Sequence, residues 1–205
     1  MNENNVIKIL KNDLEFSDLS INNLKIFHDC LLEHNKKYNL ISKSTEKSVW
    51  FRHILDSAQL LRFLDSKIAI KIADFGSGAG FPGLILAIQS NSSKFHVKLY
   101  EKSSVKRNFL NNIKIKLNLK NIEVKGNIYE DNITSNIIIC RAFKKLKEII
   151  RISRETIKKP HKIIILKGKN AQSEINNVSL GPNYSYKLKK SITDRDSKII
   201  LVEVK

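Results

Sequence analysis

The sequence predicts an α/β domain with a mainly parallel β-sheet, preceded by a helical extension. From residue 68 onward, apolar strand-like runs alternate with segments of helical periodicity, which is the pattern of βαβ units. The first apolar run ends in a glycine-rich turn at residues 76–83 that leads into a helix, as at many nucleotide-cofactor sites. The segment before it shows only helical patterns. We therefore predict an N-terminal helical extension, residues 1–66, packed on one compact domain, residues 67–205.

Apolar spacing and capping residues predict the individual helices of the extension. Residues 5–38 favour two helices, the second of which begins at Ser17 or Ser20, because a serine side chain can accept a hydrogen bond from the first turn. Residues 45–65 predict a third helix, with its apolar side chains on one face.

Short apolar runs bounded by polar or glycine residues predict the strands of the sheet. The predicted strands are residues 68–75, 95–100, 122–125, 136–140, 163–166, 184–188 and 199–202. Helical periodicity predicts helices at residues 84–88, 103–117 and 144–159. The first five strands are expected to be connected by helices, and the last two to close the sheet.

The glycine-rich turn favours S-adenosylmethionine as the cofactor. Asp74 ends the first strand, and Gly76, Gly78 and Gly80 follow at alternate positions, where glycine allows the backbone to approach a ligand closely. Together with Gly83 the turn also satisfies the dinucleotide pattern G-x-G-x-x-G. A carboxylate beside the turn repels a pyrophosphate but suits a cationic amino group and a sulfonium. A nicotinamide cofactor is therefore the alternative, and a purely structural turn is a further interpretation.

Four residues at or after the ends of later strands are candidates for the same site, because ligands bind at the carboxyl ends of such sheets. Glu101 ends the second strand, where a carboxylate can accept hydrogen bonds from ribose hydroxyls. Ile128 and Tyr129 follow the third strand and can provide an apolar wall for adenine. Arg141 leaves the fourth strand and is the basic residue expected to line the site.

The distribution of charge points to a polyanionic partner. The net charge is +17, and residues 84–205 hold 26 Lys and Arg against 10 Asp and Glu, whereas residues 1–83 are nearly balanced. This asymmetry favours nucleic acid as the partner. Because 30 of the 37 basic residues are Lys in a chain rich in Ile and Asn, a compositional bias that scatters lysines is the alternative.

Other features limit the classes of protein that fit. Cys30 and Cys140 are isolated, so neither a disulfide framework nor a metal site is expected. The polar N-terminus does not resemble a signal peptide, and no apolar run approaches the length of a membrane span. We expect a cytoplasmic monomer that does not bind membranes.

Several separate stretches together resemble one known family, the bacterial small-subunit (16S) rRNA guanine-N7 methyltransferases, also called the glucose-inhibited division protein B family. They occur in the family order and span residues 40–170. The stretches are Arg52-His53-Ile54-Leu55-Asp56-Ser57, the loop from Gly76 to Gly83 with its Phe-Pro-Gly ending, Lys106-Arg107-x-Phe109-Leu110, Arg141-Ala142-Phe143 and Leu166-Lys167-Gly168-Lys169.

The resemblance implies a seven-stranded class I methyltransferase fold, Rossmann-like, that transfers a methyl group from S-adenosylmethionine to one guanine N7 of 16S rRNA. By motif, it implies cofactor contacts at Gly76, Phe81, Ile128, Tyr129 and Arg141, with Glu101 at the ribose position. Arg141 is also the candidate for a catalytic role, in orienting the reactants. No general base is expected, because guanine N7 carries a free lone pair at neutral pH.

Basic residues within the matching stretches are the candidates for contact with RNA: Arg52, Lys106, Arg107, Lys167 and Lys169. Three rival functions stay open at this point. They are methylation of another RNA, a protein or a small molecule; a nicotinamide-dependent oxidoreductase; and a non-catalytic RNA-binding module.

Overall fold

A seven-stranded sheet forms the centre of the protein. The computed structural model describes residues 1–65, 69–90, 92–178 and 181–205. The strands are β1 (Ile70–Phe75), β2 (Phe95–Tyr100), β3 (Ile122–Lys125), β4 (Ile137–Arg141), β5 (His161–Lys167), β6 (Tyr184–Lys190) and β7 (Lys198–Val204). Their order is β3-β2-β1-β4-β5-β7-β6. The strands β1 to β5 pair in parallel, and β7 runs antiparallel to both β5 and β6.

The strand order creates a switch point between β1 and β4. From β1 the chain moves outward to β2 and β3, and it then returns to place β4 on the other side of β1. The connections that follow β1 and β4 therefore leave in opposite directions. In open α/β sheets this divergence produces a crevice at the carboxyl ends of the strands, where ligands bind.

Seven α-helices lie within the described residues: α1 (Glu3–Leu14), α2 (Asp18–Asn35), α3 (Asp56–Ala58), α4 (Gly83–Gln89), α5 (Ser104–Lys116), α6 (Leu146–Thr156) and α7 (Ala171–Asn176). The side chains of Asn2, Ser17 and Ser103 cap α1, α2 and α5 by accepting a hydrogen bond from a first-turn backbone N–H. Of the two predicted caps for α2, Ser17 is the one observed. The short helix α7 is absent from the sequence prediction.

The prediction of one regular helix over residues 45–65 is wrong. The chain there forms a 3₁₀-helix (Lys43–Ser48), a π-helix (Trp50–Leu55), α3 and a second 3₁₀-helix (Gln59–Phe63). Side chains intrude on the backbone of this segment: Arg141 donates to the carbonyl oxygen of Arg52, and the Ser57 hydroxyl donates to that of His53. Such competing bonds disturb the regular helical ladder, and π-turns are frequent at functional sites.

Apolar side chains cover both faces of the sheet, as a parallel sheet requires. Alternate strand residues point to opposite faces, so Ile72 and Ile139 belong to one apolar cluster and Ala73 and Ile138 to the other. The first cluster includes buried residues of α1, α2, α4 and α5, and the second includes those of α6 and α7. The N-terminal helices therefore share a continuous core with one face of the sheet.

Most predicted elements are present, with ends shifted by a few residues. The strand predicted at 136–140 is Ile137–Arg141, the one at 163–166 is His161–Lys167, and the helix predicted at 144–159 is Leu146–Thr156. The predicted domain boundary between residues 66 and 67, and the predicted start of the first strand at residue 68, lie outside the described residues.

Candidate active site

A crevice of about 430 Å³ opens at the carboxyl ends of β1, β2 and β4. Six of the nine residues predicted to bind the cofactor line it: Gly76, Gly78, Phe81, Glu101, Ile128 and Arg141. The predicted RNA contact Lys106 also lines it. These residues come from five separate parts of the chain, and the sheet brings them together because the ends of parallel strands meet at one edge.

The glycine-rich turn is held against the end of β2. The backbone N–H groups of Gly76 and Ser77 donate to the carbonyl oxygen of Tyr100 at 2.9 and 3.0 Å. Glu101 accepts from the Gly78 N–H at 2.9 Å with one carboxylate oxygen and from the Ser103 N–H at 2.8 Å with the other. Glu101 thus ties the turn to the start of α5, and it places a carboxylate in the crevice.

Gly80 stabilises the turn without bordering the crevice. Its φ angle of +104° lies in a region that L-residues avoid. A Cβ atom at Gly80 would lie 2.8 Å from the Cβ atom of Leu84, inside α4. We conclude that glycine is required here for the close approach of turn and helix, and that Gly80, predicted to contact the cofactor, does not itself line the crevice.

Asp74 also differs from its predicted role, because its side chain is fully buried beneath the turn and does not line the crevice. One carboxyl oxygen accepts from the Gly83 N–H at 2.8 Å, and the other has no hydrogen-bond partner among the described residues. Burial raises the pKa of Asp74 to about 7, against the opposing effect of the Gly83 hydrogen bond. Asp74 therefore fixes the start of α4 to β1.

Asp74→Asn is expected to make the stability of the protein less dependent on pH. The carboxyl pKa is about 7 in the folded state and 3.8 in its ordinary state, so between these values the folded protein keeps a proton that the unfolded chain loses. Stability falls as pH rises through this window, by at most about 4 kcal/mol. Urea unfolding of both proteins from pH 4 to 8 measures this, and parallel stability curves would show that Asp74 has no raised pKa.

Arg141 is held in a partly enclosed cage at the side of the crevice. Its Nη1 donates to the carbonyl oxygen of Arg52 at 3.1 Å and to the Asp56 carboxylate at 3.4 Å. Its Nη2 donates to Nδ1 of His53 at 2.8 Å, and its guanidinium carbon lies 5.0 Å from the ring centre of Phe81. Burial lowers the pKa of Arg141, and the Asp56 carboxylate opposes this shift. These contacts thus hold the Arg141 guanidinium in a fixed orientation at the crevice.

The same contacts fix the tautomer of His53. A guanidinium can only donate, so Nδ1 of His53 must accept, and Nε2 carries the proton that is donated to the Thr45 hydroxyl at 2.9 Å. Burial, together with the charges of Arg141 and Arg52, lowers the pKa of His53 to about 3. His53 also stacks on Phe81, with ring centres 4.9 Å apart. It is therefore neutral at physiological pH and has no free lone pair to act as a base.

Ala142, the residue after Arg141, bends the chain at the end of β4. Ala142 has a positive φ of 50°, an uncommon conformation for a residue with a Cβ atom. The resulting bend leaves Arg141 in its cage and places the Phe143 ring beside Gly76, where a Cβ atom would be 2.5 Å from that ring. Backbone strain of this kind concentrates at functional sites.

Tyr129 lies outside the crevice, unlike its neighbour Ile128. Its side chain is 54% exposed, and its hydroxyl donates to Glu155 of α6 at 2.7 Å. The 3₁₀-turn at Ile128–Glu130 explains the difference, because consecutive residues of a turn point in different directions. Only Ile128 provides the predicted apolar wall.

The five predicted RNA contacts fall into two groups. Arg107 donates to the carbonyl oxygens of Glu101 and Lys102, and Lys167 donates to the Lys144 carbonyl and pairs with Glu174, so both have structural roles. The other three are Arg52, Lys106 and Lys169. Arg52 pairs with Asp194 but is 48% exposed in its side chain, and Lys169 is exposed in the loop after β5.

Sequence reasoning assigned no role to His53, Thr193 or Asp194. His53 lies within a stretch that supports the family resemblance, which is a signal that could have identified it. The contacts of Thr193 and Asp194 with Asp56 and Arg52 span more than a hundred residues of sequence. No local pattern could therefore have revealed them.

The residues of the crevice fit S-adenosylmethionine. Gly78 has a φ of +56°, and a Cβ atom there would meet no protein atom closer than 4.0 Å, so its backbone borders open space that a side chain would fill. Glu101 suits the ribose hydroxyls, buried Ile128 suits adenine, and the cation of Arg141 suits the carboxylate of the methionine part.

The sheet order, with its antiparallel β7, and the glycine-rich crevice define the fold of a class I S-adenosylmethionine-dependent methyltransferase. The O-methyltransferase from Bacillus cereus, solved with S-adenosylhomocysteine, has the same fold: its TM-score is 0.62 at 14% identity, over 98% of this chain and 97% of that one. The chain belongs to the family described as rRNA small subunit methyltransferase G (GidB), whose model matches residues 20–198.

The relatives of this chain include proteins named ribosomal RNA small subunit methyltransferase G. The Pelagibacter ubique protein is 36% identical over 185 residues, which cover 87% of this chain and 85% of the relative. The Rickettsia bellii protein is 37% identical over 181 residues, or 88% and 91% of the two chains. The family resemblance is therefore confirmed, and the nicotinamide-dependent oxidoreductase is not supported.

The described part of the chain lacks two further features. No helix there has the length and apolar character needed to cross a membrane. No group of three or more possible metal ligands comes together there either.

Proposed function

We propose that this protein transfers a methyl group from S-adenosylmethionine to N7 of one guanine in the 16S rRNA of the small ribosomal subunit. Family membership supports the class of substrate. The observation that carries the proposal is that His53 and Glu101, at the crevice, are already hydrogen-bonded within the protein. Both ring nitrogens of His53 are engaged, and both oxygens of Glu101 hold backbone N–H groups. Within the described residues, the histidine and the carboxylate that line the crevice are therefore already committed, His53 to Arg141 and Thr45, and Glu101 to the turn and the proposed ribose contact.

Guanine N7 is an acceptor that needs no base. Its lone pair is free at neutral pH, so N7 forms a bond to the methyl carbon while the bond between that carbon and the sulfonium sulfur breaks. The products are S-adenosylhomocysteine and a cationic 7-methylguanine, and no proton is released in this step. A hydroxyl, amide or exocyclic amine acceptor would lose a proton and would need a group to accept it.

The protein then has to orient the reactants and to support the changing charge. The backbone around Gly78 would hold the cofactor, with Glu101 on its ribose and Ile128 beside its adenine. Arg141 would fix the methionine part or the guanine edge from one side of the crevice. The enclosed, hydrogen-bonded setting of Arg141 means that little reorganisation is needed when the substrate binds.

Cations in and around the crevice would contact the RNA backbone. Lys106 lines the crevice. Lys169 lies in the loop after β5, and Arg52 lies in the π-helix. A monomeric state, a cytoplasmic location and the division of the chain near residue 66 are part of the same proposal.

Mapping of the modified base tests the proposal. Small subunits from a strain that lacks the enzyme are incubated with the protein and S-adenosylmethionine, and 7-methylguanine is located by borohydride reduction and aniline cleavage of the rRNA. We expect one new cleavage site, and none in small subunits from the parent strain that are already methylated. Methyl transfer to another base position, to ribosomal protein or to no component of the particle would contradict the proposal.

A further inference from the structure

A second cavity, of about 360 Å³, adjoins the crevice. The two share His53, Arg141 and Ala142 in their linings, so Arg141 stands at the boundary between them. The second cavity extends from this boundary toward Lys167 and Gly168 at the end of β5 and toward Asp194. A ligand in it would therefore reach the crevice beside Arg141.

The loop between β6 and β7, residues 191–197, forms one wall of this cavity. It is held to the helical segment by hydrogen bonds: the Thr193 hydroxyl donates to Asp56 at 2.6 Å, and the Ile192 N–H donates to Gln59 at 3.0 Å. Within the loop, Oδ1 of Asp194 accepts from the backbone N–H groups of Asp196 and Ser197. The wall is thus a braced loop with a fixed carboxylate.

The two carboxylates that line the cavity, Asp56 and Asp194, differ in their remaining capacity to accept hydrogen bonds. Asp56 accepts from Thr193 and Gln59 with one oxygen and from Arg141 with the other, and its side chain is only 16% exposed. Asp194 has Oδ2 in contact with Arg52 alone among the described residues, and its side chain is 30% exposed. A carboxylate oxygen can accept two hydrogen bonds, so Oδ2 of Asp194 retains acceptor capacity.

Arg141 also retains capacity to donate hydrogen bonds. A guanidinium has five N–H donors, and the three contacts described above use three of them. Within the described part of the chain, two donors are left for a ligand at the boundary of the two cavities. The second cavity therefore combines unused donors at its crevice end with an unused acceptor on its loop wall.

We propose that the second cavity binds the six-membered ring of the target guanine, and that Oδ2 of Asp194 accepts a hydrogen bond from its 2-amino group. The inference rests on the proposed function and specifies how its acceptor is selected. When N7 and O6 of guanine face the crevice, N1–H and the 2-amino group point away from it, and both are donors. Adenine has no 2-amino group, so it would offer Asp194 no donor at this position.

The competing explanation is that Asp194 only braces its loop and pairs with Arg52. Asp194→Asn separates the two roles, because the asparagine keeps an Oδ1 that can accept from Asp196 and Ser197 while its amide NH₂ replaces the acceptor Oδ2. Arg52→Gln provides the matched control, since it breaks the same ion pair and leaves the carboxylate in place.

A cycle of protein and base substitutions tests the proposal. Small subunits are reconstituted with rRNA that carries either guanosine or inosine, which lacks the 2-amino group, at the position mapped above. We expect the wild-type protein to methylate inosine with a kcat/KM roughly 10-fold below that for guanosine. Asp194→Asn should lower kcat/KM on guanosine by roughly 10- to 100-fold and should treat the two bases alike within about two-fold.

Arg52→Gln should keep the wild-type preference for guanosine, whatever its overall activity. Equal preference in wild type and Asp194→Asn would overturn the proposal, as would loss of preference in Arg52→Gln. A failure of the proposed function has a different signature, because the wild-type protein would then methylate neither base. Urea unfolding of each variant verifies that the folded state is retained.

Discussion

Arg141→Lys is expected to lower kcat/KM for rRNA methylation by at least about 100-fold while the protein stays folded. A lysine keeps the positive charge beside Asp56, but its single nitrogen cannot reproduce the planar set of bonds to His53, Asp56 and the Arg52 carbonyl. The donors that residue 141 presents to a ligand would then no longer be held in a fixed direction. Steady-state methylation of small subunits and urea unfolding measure the two effects separately.

Arg154→Lys is the matched control for this substitution. Arg154 also lies over an aromatic ring, at 5.1 Å from the centre of Tyr184, but it belongs to α6 and does not line the crevice. We expect its kcat/KM to stay within about two-fold of wild type, because an exposed substitution away from the site has little effect. Comparable activity of Arg141→Lys and wild type would remove Arg141 from the site.

Arg141→Ala is a less informative variant. It would leave Asp56, which is only 16% exposed, without its cation. Removal of one partner of a largely buried pair is destabilising in itself, so a loss of activity would have two causes.

Gly80→Ala is expected to destabilise the protein by about 3 kcal/mol, whereas Gly78→Ala should cost only about 1 kcal/mol. At Gly80 the new Cβ atom would combine a φ of +104° with a separation of 2.8 Å from the Cβ atom of Leu84. At Gly78 the φ of +56° is in the left-handed region, and no protein atom lies closer than 4.0 Å. Urea unfolding of both variants measures the difference.

The same pair of variants should show the reverse order in cofactor binding. The methyl group of Gly78→Ala occupies space at the crevice, so we expect a loss of at least about 10-fold in affinity for S-adenosylhomocysteine by calorimetry, measured on a folded protein. If Gly78→Ala binds S-adenosylhomocysteine as tightly as wild type, the cofactor does not lie against Gly78. If Gly80→Ala is as stable as wild type, the close packing of Gly80 against Leu84 is contradicted.

Prediction and structure differ most clearly at the glycine-rich turn. The sequence identified Asp74 and Gly80 as contacts of the cofactor because they flank or continue a cofactor pattern. In the structure both are directed into the protein, where Asp74 holds the Gly83 N–H and Gly80 allows contact with Leu84. Spacing along the chain indicates that a turn is specialised, but the packing of α4 against β1 decides which residues face the ligand.

What the sequence by itself determined was the class of fold, the position of the crevice and part of its lining. These follow from local properties: apolar periodicity marks the strands, and glycines mark the turn between β1 and α4. The carboxyl ends of parallel strands must then meet at one edge. Glu101, Ile128 and Arg141 were predicted in this way, because each lies at or shortly after the end of a strand.

Only the tertiary structure decided how the cation of the site is held and where a second cavity lies. Arg141 meets His53 and Asp56 across more than eighty residues, and Asp194 meets Arg52 across more than a hundred. These contacts exist because the N-terminal helical segment and the loop after β6 pack against the same sheet edge. The physical reason is that a hydrogen bond depends on distance and direction in space, and residues distant in sequence acquire both only when the core has formed.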